Sequence, residues 1–376
     1  MVERRRPLFL PRPPEGCDDA YRVLCQPSSP RSVCARELCE EFWTDFRDLA
    51  DAAFLDRLPF EFHQRWFEMY LGTALRRAGL DVSARKPGPD LQVLHGEQRI
   101  HIEAIAPSAG NPLHADAVPE PVYRDADGEL IAVQVPHDQI TLRIAHAFRA
   151  KAGVFDRYRQ RAYVREGERC IIAINLRAIP HAWADAAECW YRALYGVGDR
   201  FVAIDPAGGA ITAGRNHRAL LHRVGGAAED VAPLLRQENC LISGVLGSSA
   251  DVGNVPNLPG DDFMLMPHAS PNAPYPQGLL HLGGELVLHA DGGERWNVEA
   301  IDYGAHETRG PEPIVAELDG VAIEGEWAVE GRILSVSVGG SHCDVPLAGG
   351  DNPEESARAI AIEIARARGS RGETRE

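Results

Sequence analysis

Two acidic side chains of this 376-residue chain stand at unusual positions, on either side of a short polar turn. Asp90 follows Pro89 at the start of one β-type run, and Glu103 lies inside the next, otherwise apolar run IHIEAIA. Residues 95–98 predict a turn, so the two runs form an antiparallel hairpin that brings these carboxylates close together. Adjacent carboxylates repel unless a proton or a cation separates them. The pattern therefore predicts a cation site, and oxygen ligands of this kind suit Mg²⁺ or Mn²⁺.

A third acid, Glu68, lies in a segment that predicts a helix over residues 60–78. At about 100° per residue, the apolar side chains of this segment form one inner face, and Glu68 lies about 80° from its centre. A glutamate at such a margin can reach a cleft while its backbone stays packed. Glu68 is therefore a candidate third member of the acidic site.

Only two of the 39 basic residues are lysines, Lys86 and Lys151. Lys151 belongs to a predicted helix over residues 137–163 and projects within its apolar stripe. A lysine there must either contact a buried anion or extend along the helix to solvent, because an unpaired buried ammonium is costly. Lys86, in the loop before the first acid, is the weaker candidate, and Gln139 and Arg143 of the same helix can add polar contacts.

The elements that must position these side chains form a predicted mixed α/β layer. In chain order they are a helix, three strands, a helix and a strand, at residues 60–78, 80–85, 90–94, 99–106, 137–163 and 170–175. Alternation along the third strand places His101, Glu103 and Ile105 on one face. The strand CIIAIN is apolar until Asn175, as in a central strand. Helix, three strands, helix and strand describe a layer with helices on both faces. A helix near 183–195 and strands at 201–205 and 240–246 are predicted to follow.

Composition predicts three regions. Residues 1–30 form an irregular Pro-rich arm, residues 31–270 an α/β domain, and residues 279–376 a β-rich acidic domain with a terminal helix. The last region carries 19 acids against 8 arginines, in a chain of net charge −16. This acidity argues against a nonspecific polyanion binder. Residues 137–169 are locally basic, so a basic surface can still exist on the acidic protein.

Several classes of protein are disfavoured by the sequence. No stretch approaches the roughly 18 uncharged apolar residues of a membrane helix, and the start MVERRRPLFLPRPPEG does not fit a secretion signal, so we expect a cytoplasmic protein. The eight cysteines contain no CxxC pair and have no histidine at zinc-finger spacing. A Walker-type phosphate loop and a GxSxG nucleophile elbow are also absent.

The order of these elements and acids resembles the PD-(D/E)xK nuclease superfamily. Its core is a helix carrying a glutamate, strands carrying the Pro-Asp and Glu-x-Lys elements, then a helix and a further strand. Pro89-Asp90 matches the first strand element, Glu103-Ala104-Ile105 the second, and Glu68 the helix acid. The resemblance implies a restriction-endonuclease-like mixed sheet flanked by helices. It also implies a Mg²⁺ or Mn²⁺ site formed by Asp90, Glu103 and Glu68.

The chain departs from this pattern at Ile105, where the superfamily has a lysine that stabilises charge and helps to generate the attacking hydroxide. Some members are thought to carry that lysine on the following helix, where this chain has Lys151. The resemblance thus implies metal-dependent phosphodiester hydrolysis of nucleic acid, DNA rather than RNA, with Lys151 as the charge-stabilising cation.

Alternatives remain open. Asp90 could cap a turn while Glu103 stays half exposed on an edge strand, and Lys151 could extend to solvent. The missing lysine at Ile105 also fits a catalytically inert protein of the same fold that acts as an interaction or regulatory module. The acidic C-terminal region could bind a protein partner, mimic nucleic acid, or cover the basic helix until a partner removes it.

Overall fold

The computed structural model describes most of the chain, and the chain divides into two compact units. The first comprises residues 1–255 and 262–302, and the second residues 256–261 and 303–376. The described residues are 6–85, 87–124, 128–129, 131, 133–204, 211–275, 277–278, 280, 282–290, 296–302, 309–318, 321–330, 333–338, 341–346 and 353–372.

The described residues form helices and strands in both units. The α-helices are α1 (Asp19–Cys25), α2 (Pro30–Phe46), α3 (Phe54–Arg57), α4 (Phe62–Arg77), α5 (His137–Gln160), α6 (Ala186–Tyr195) and α7 (Pro353–Gly372). The strands are β1 (Asp81–Ser83), β2 (Leu91–His95), β3 (Gln98–Ile105), β4 (Arg169–Asn175), β5 (Val197–Ile204), β6 (Ile211–His217), β7 (Leu220–His222), β8 (Ala228–Asp230), β9 (Gly244–Ser248), β10 (Met264–Pro267), β11 (Gly284–Ala290), β12 (Trp296–Asp302), β13 (Arg309–Leu318), β14 (Val321–Glu330), β15 (Ile333–Val338) and β16 (Ser341–Pro346).

The first unit is built on a mixed sheet with the strand order β1-β2-β3-β4-β9-β10-β11-β12. Strands β1, β2 and β3 are antiparallel neighbours, whereas β3, β4 and β9 run parallel. The parallel crossover from β3 to β4 contains α5, as such crossovers usually do. The predicted mixed α/β sheet flanked by helices is thus confirmed.

Helices cover the two faces of this sheet with separate cores. Helices α1 to α4 pack on one face together with Ile100, Ile102 and Ala104 of β3. Helices α5 and α6 pack on the other face, which includes Ile105. Strand β4 is buried along almost its whole length, which explains its continuous apolar sequence. The alternation predicted for β3 is therefore confirmed, and Glu103 faces α5.

Local sequence explains where the site-bearing elements begin and end. Helix α4 ends with two arginines in its last turn, which complement the helix dipole, and Gly79 follows with φ of +81°. The tight turn between β2 and β3 contains Gly96, with φ of +60°. Helix α5 begins directly after Pro136 and has Asp138 in its first turn.

Two regions differ from the sequence-based expectation. Residues 1–30 are not wholly irregular, because α1 forms within them and Leu8, Phe9 and Tyr21 are buried in the first core. The division between units does not fall between residues 270 and 279, where composition placed it. Strands β10, β11 and β12 extend the large sheet, so the first unit continues to Asp302.

The second unit contains an antiparallel sheet with the strand order β13-β14-β15-β16. Helix α7 packs on this sheet and shares a core with it that includes Trp327, Leu334, Val336 and Ala361. A β-rich region with a terminal helix is what the sequence predicted for this part of the chain. Across the described residues of both units, no helix has the length and apolar character needed to cross a membrane.

Candidate active site

The β2–β3 hairpin brings the two predicted carboxylates together. Its register pairs Leu91 with Ile102, and one step further along the same register Asp90 stands opposite Glu103. The backbone N–H of Ala104 donates to Asp90 Oδ2 at 3.0 Å, which fixes the carboxylate beside β3. Asp90 therefore does more than cap a turn, and Glu103 lies on an inner strand of the sheet, because β3 is flanked by β2 and β4 and Glu103 pairs with Ile172 of β4.

Lys151 of α5 lies against both carboxylates. Its Nζ donates to Glu103 Oε2 at 2.7 Å and to Asp90 Oδ2 at 3.5 Å. The Glu103 side chain is 3% exposed, whereas those of Lys151 and Asp90 are 17% and 23% exposed. The lysine therefore does not extend to solvent; its ammonium is the cation that the two acids face. The remaining exposure of Asp90 and Lys151 marks the side from which solvent reaches the site.

Burial and mutual charge shift the protonation of these groups. Burial, and then the nearby charge of Asp90, raises the pKa of Glu103 above its ordinary value. Burial by itself would lower the pKa of Lys151, but the charges of Asp90 and Glu103 outweigh it, so that pKa is raised. The ammonium is accordingly retained at neutral pH.

The two oxygens of Glu103 are unequally satisfied. Glu103 Oε1 is buried and meets no donor of normal hydrogen-bond geometry among the described residues. Burial, then the charge of Glu103 and a hydrogen-bonding interaction with that carboxylate, raise the pKa of the Tyr158 phenol of α5, so this phenol is a donor beside Glu103. An unpaired buried carboxylate oxygen is costly, so it marks a position where a ligand or an ion would be stabilised.

Glu68 joins the site from the opposite face of the sheet, and it is already paired. Arg65 Nη1 donates to Glu68 Oε2 at 2.8 Å, and Gln64 Nε2 donates to Glu68 Oε1 at 2.8 Å. Glu68, Asp90 and Ala104 line a common cavity of about 10 Å³, which is close to the minimum for one water molecule. Burial, and then the charge of Asp90, raises the pKa of Glu68.

Gln64 is a site residue that sequence reasoning did not identify. Its Nε2 donates to the Ala104 carbonyl at 3.1 Å, and its Oε1 accepts from the Ala106 N–H at 2.8 Å. The side chain thus clamps the end of β3 on either side of Ile105. Gln64 and Arg65 precede Glu68 by four and three residues on one helix. This spacing indicated that both side chains could contact Glu68. Nothing in the spacing indicated the contacts with β3.

The other candidates lie elsewhere. Gln139 and Arg143 are twelve and eight residues before Lys151 on α5, a rise of about 18 and 12 Å, too far to share its carboxylates. Arg143 instead donates to the Ser108 carbonyl. Lys86 is outside the described residues.

His101 is structural in this arrangement. It is fully buried; its Nδ1 accepts from Gln92, and its Nε2 donates to Glu168 at 2.8 Å. Burial lowers the pKa of His101, which fits a neutral imidazole in that hydrogen-bonded chain. His101 therefore shares a strand face with Glu103 without sharing its chemistry.

The oxygen donors of the site suit a hard divalent cation, although they do not form a ready-made cage. Among the described residues, no group of three or more His, Cys, Asp and Glu side chains is arranged to hold a metal ion. Asp90 and Glu103 supply carboxylate oxygens, and the unpartnered Glu103 Oε1 is a buried acceptor. This donor set fits Mg²⁺ or Mn²⁺ bound by two carboxylates and completed by water and substrate oxygens.

Comparisons with known proteins gave no match: no family model, no curated protein and no solved structure matches this chain.

Proposed function

We propose that the protein is a metal-dependent phosphodiesterase acting on nucleic acid, DNA rather than RNA, with a PD-(D/E)xK-like site. The observation that carries the proposal is the contact of Lys151 with both Asp90 and Glu103. The superfamily places a lysine beside these two acids, and Lys151 supplies an ammonium there although Ile105 occupies the motif position. The order α4-β1-β2-β3-α5-β4 agrees with the helix, three strands, helix and strand of that superfamily's core.

The proposed roles follow from the contacts of each side chain. Asp90 and Glu103 would hold the metal ion, and Glu68 would act through its charge, because both of its oxygens accept hydrogen bonds. When bound, Mg²⁺ or Mn²⁺ would supply a polarised water for attack on phosphorus. Lys151 would stabilise the negative charge that develops on the phosphate oxygens. Gln64 would keep β3, and with it Glu103, in place.

Cleavage assays test the proposal with matched variants. Purified protein with Mg²⁺ or Mn²⁺ should cut plasmid, linear or single-stranded DNA, and Glu103→Gln and Asp90→Asn should each lower the rate by about 100-fold or more. Glu97→Gln is the control, because Glu97 is exposed in the turn of the same hairpin. If no substrate is cut, or if Glu103→Gln cuts as fast as Glu97→Gln, the active-nuclease proposal is wrong.

A second candidate is an inert protein of this fold that acts as an interaction or regulatory module. The pairing of Glu68 with Arg65 and the 10 Å³ cavity beside Asp90 favour it, because they leave little room for a substrate phosphate. Calorimetric titration with Mn²⁺ separates the two candidates. The nuclease requires binding heat that disappears in Glu103→Gln, whereas the inert protein gives no carboxylate-dependent heat.

A further inference from the structure

A second polar pocket lies on the first unit, away from the acidic site. Its volume is about 260 Å³, and it lies between α5 and the segment that follows β3. Its polar lining consists of Asn111, His114, Asp116, Arg143, His146 and Arg223. This volume is below that of a typical drug-sized pocket and suits a small group with its water molecules.

Arg143 is the distinctive side chain of this pocket. Its Nε donates to the Ser108 carbonyl at 2.9 Å, and it forms no ion pair with any described residue. Arg143 and Arg223 both line the pocket, and burial, followed by the charge of Arg223, lowers the pKa of Arg143. A half-buried guanidinium without an anion is costly, and a bound anion would remove that cost.

Gly110 adapts the loop to this guanidinium. Its φ of +98° favours glycine, and a Cβ at this position would lie 3.4 Å from Arg143 Nη1. That distance is an ordinary van der Waals contact, so it is the positive φ, and not a lack of space, that favours glycine where the loop after β3 passes Arg143.

The remaining charges leave a positive balance around the pocket. Arg223 is partnered by Glu229 at 2.6 Å, and Arg149 contacts the same carboxylate. The Asp116 carboxylate, at the edge of the pocket, already has two partners. Its Oδ1 accepts from the Val224 N–H at 2.9 Å, and its Oδ2 lies 3.9 Å from Arg223 Nη1. Among the described residues, three guanidinium groups thus surround two carboxylates, and Arg143 is the one that pairs with neither.

The two histidines add donors that an anion would use. The His146 ring is exposed and forms no hydrogen bond with a described residue. Although His146 is exposed, partial desolvation in the pocket, and then the charges of Arg143, Arg149 and Arg223, lower its pKa, and a bound anion would raise that pKa again. His114 lies across the pocket on the loop.

We propose that this pocket binds a phosphate group of the nucleic acid strand whose cleavage is proposed above. Guanidinium groups are suited to phosphate oxygens, and the ring of donors matches a tetrahedral oxyanion. The inference rests on the proposed function, because it assigns the pocket to the same substrate. Arg143 lies about 12 Å along α5 from Lys151. One strand rises about 3.4 Å per nucleotide, so the bound phosphate lies about three or four nucleotides from the cleaved bond.

The test uses the full chain in EDTA, where no metal-dependent cleavage occurs. Fluorescence anisotropy with a labelled 20-nucleotide DNA strand should give a Kd about tenfold higher for Arg143→Ala and higher still for Arg143→Glu. The slope of log Kd against the logarithm of the salt concentration should fall by about one for Arg143→Ala. The control is Arg157→Ala, an exposed arginine of the same helix, which should bind like the parent. If Arg143→Ala binds as Arg157→Ala does, the pocket proposal is wrong.

A second probe distinguishes the source of the phosphate. Inorganic phosphate should shift the imidazole NMR signals of His146 in the parent and not in Arg143→Ala. If phosphate shifts these signals but Arg143→Glu binds the strand normally, the pocket takes free phosphate compounds and the strand proposal is overturned.

The pocket proposal and the nuclease proposal can be contradicted separately. If Arg143→Ala weakens strand binding while neither the parent nor any variant cuts DNA, the pocket proposal is supported and the nuclease proposal fails. If the parent cuts DNA and Arg143→Ala binds normally, the nuclease proposal stands and the pocket fails.

Discussion

At the scale of residues, the site depends on one ammonium held between two carboxylates. Glu103 is nearly fully buried, and its charge is tolerable only because Lys151 lies 2.7 Å away. Asp90 keeps some contact with solvent and takes a backbone N–H from β3. The lysine is thus a structural requirement of the site as well as its proposed charge-stabilising group, and substitutions at Lys151 will change stability and activity together.

Lys151→Met should destabilise the protein in a pH-dependent way. The pKa of Glu103 is already raised above 4.5 in the folded state, so its contribution to stability is present below about pH 4.5 and is lost as pH rises through the raised pKa. Removing the lysine raises that pKa further. We expect the free energy of unfolding to fall by about 3 kcal/mol at pH 8 and by clearly less at pH 5, measured by urea denaturation.

Arg157→Met is the matched control for that experiment, since Arg157 is exposed on the same helix. It should unfold like the parent at both pH values. An equal loss of stability in Lys151→Met at pH 5 and pH 8 would contradict the proposed dependence of Glu103 on the ammonium.

Moving the lysine tests whether its charge or its position in the chain matters. Ile105 lies on the same strand face as Glu103, about 7 Å further along β3. If Lys151→Met lowers DNA cleavage by about 100-fold, adding Ile105→Lys should recover about tenfold, because an ammonium again lies beside Glu103. Initial cleavage rates of the parent, both single variants and the double variant measure this. If the double variant is folded but cleaves DNA no faster than Lys151→Met, an ammonium at position 105 does not replace the one at position 151.

At the scale of elements, the hairpin and the two flanking helices bring the site together. The sequence predicted α4, β2, β3, α5 and β4 in the right order, and strand alternation placed Glu103 on the face of Ile105, which the structure packs against α5. Local periodicity suffices for such elements, because each has one buried face. The partner of Glu68 was less accessible to prediction. Arg65 lies three residues before Glu68 on α4, so local spacing allowed this pair, but it did not exclude a contact of Glu68 with Lys151 across the sheet.

Gln64→Ala should loosen the end of β3. The Ala106 N–H loses its acceptor and the Ala104 carbonyl loses a donor, so we expect the free energy of unfolding to fall by about 1–2 kcal/mol. Hydrogen exchange of the Ala106 amide should accelerate, which a general loss of helix stability would not single out. Gln160→Ala, at the exposed end of α5, is the control. If Gln64→Ala is folded and the Ala106 amide exchanges at the parent's rate, Gln64 does not hold the end of β3.

At the scale of the whole molecule, long-range pairing decides what local patterns left open. Strand β10 is only four residues long and ends in a proline, so its sequence resembles a loop. It nevertheless pairs with β9 and β11, which joins β11 and its partner β12 to the large sheet. Composition alone grouped those strands with the acidic C-terminal region. Residues 303–376 carry 14 acids against 7 arginines, and the proposal that this region binds a protein partner stays a prediction.

Two truncations distinguish the observed boundary from the composition-based one. The described core residues of the first unit lie between Leu8 and Leu288, so a chain ending at Asp302 should stay folded. A chain ending at Gly278 loses β11 and β12, including the buried Leu286, and leaves β10 at the edge of the sheet. We expect it to be less stable by at least about 3 kcal/mol, since losing one buried leucine already costs about that much. Thermal denaturation followed by circular dichroism measures the difference, and equal melting of the two chains would place the boundary before β11.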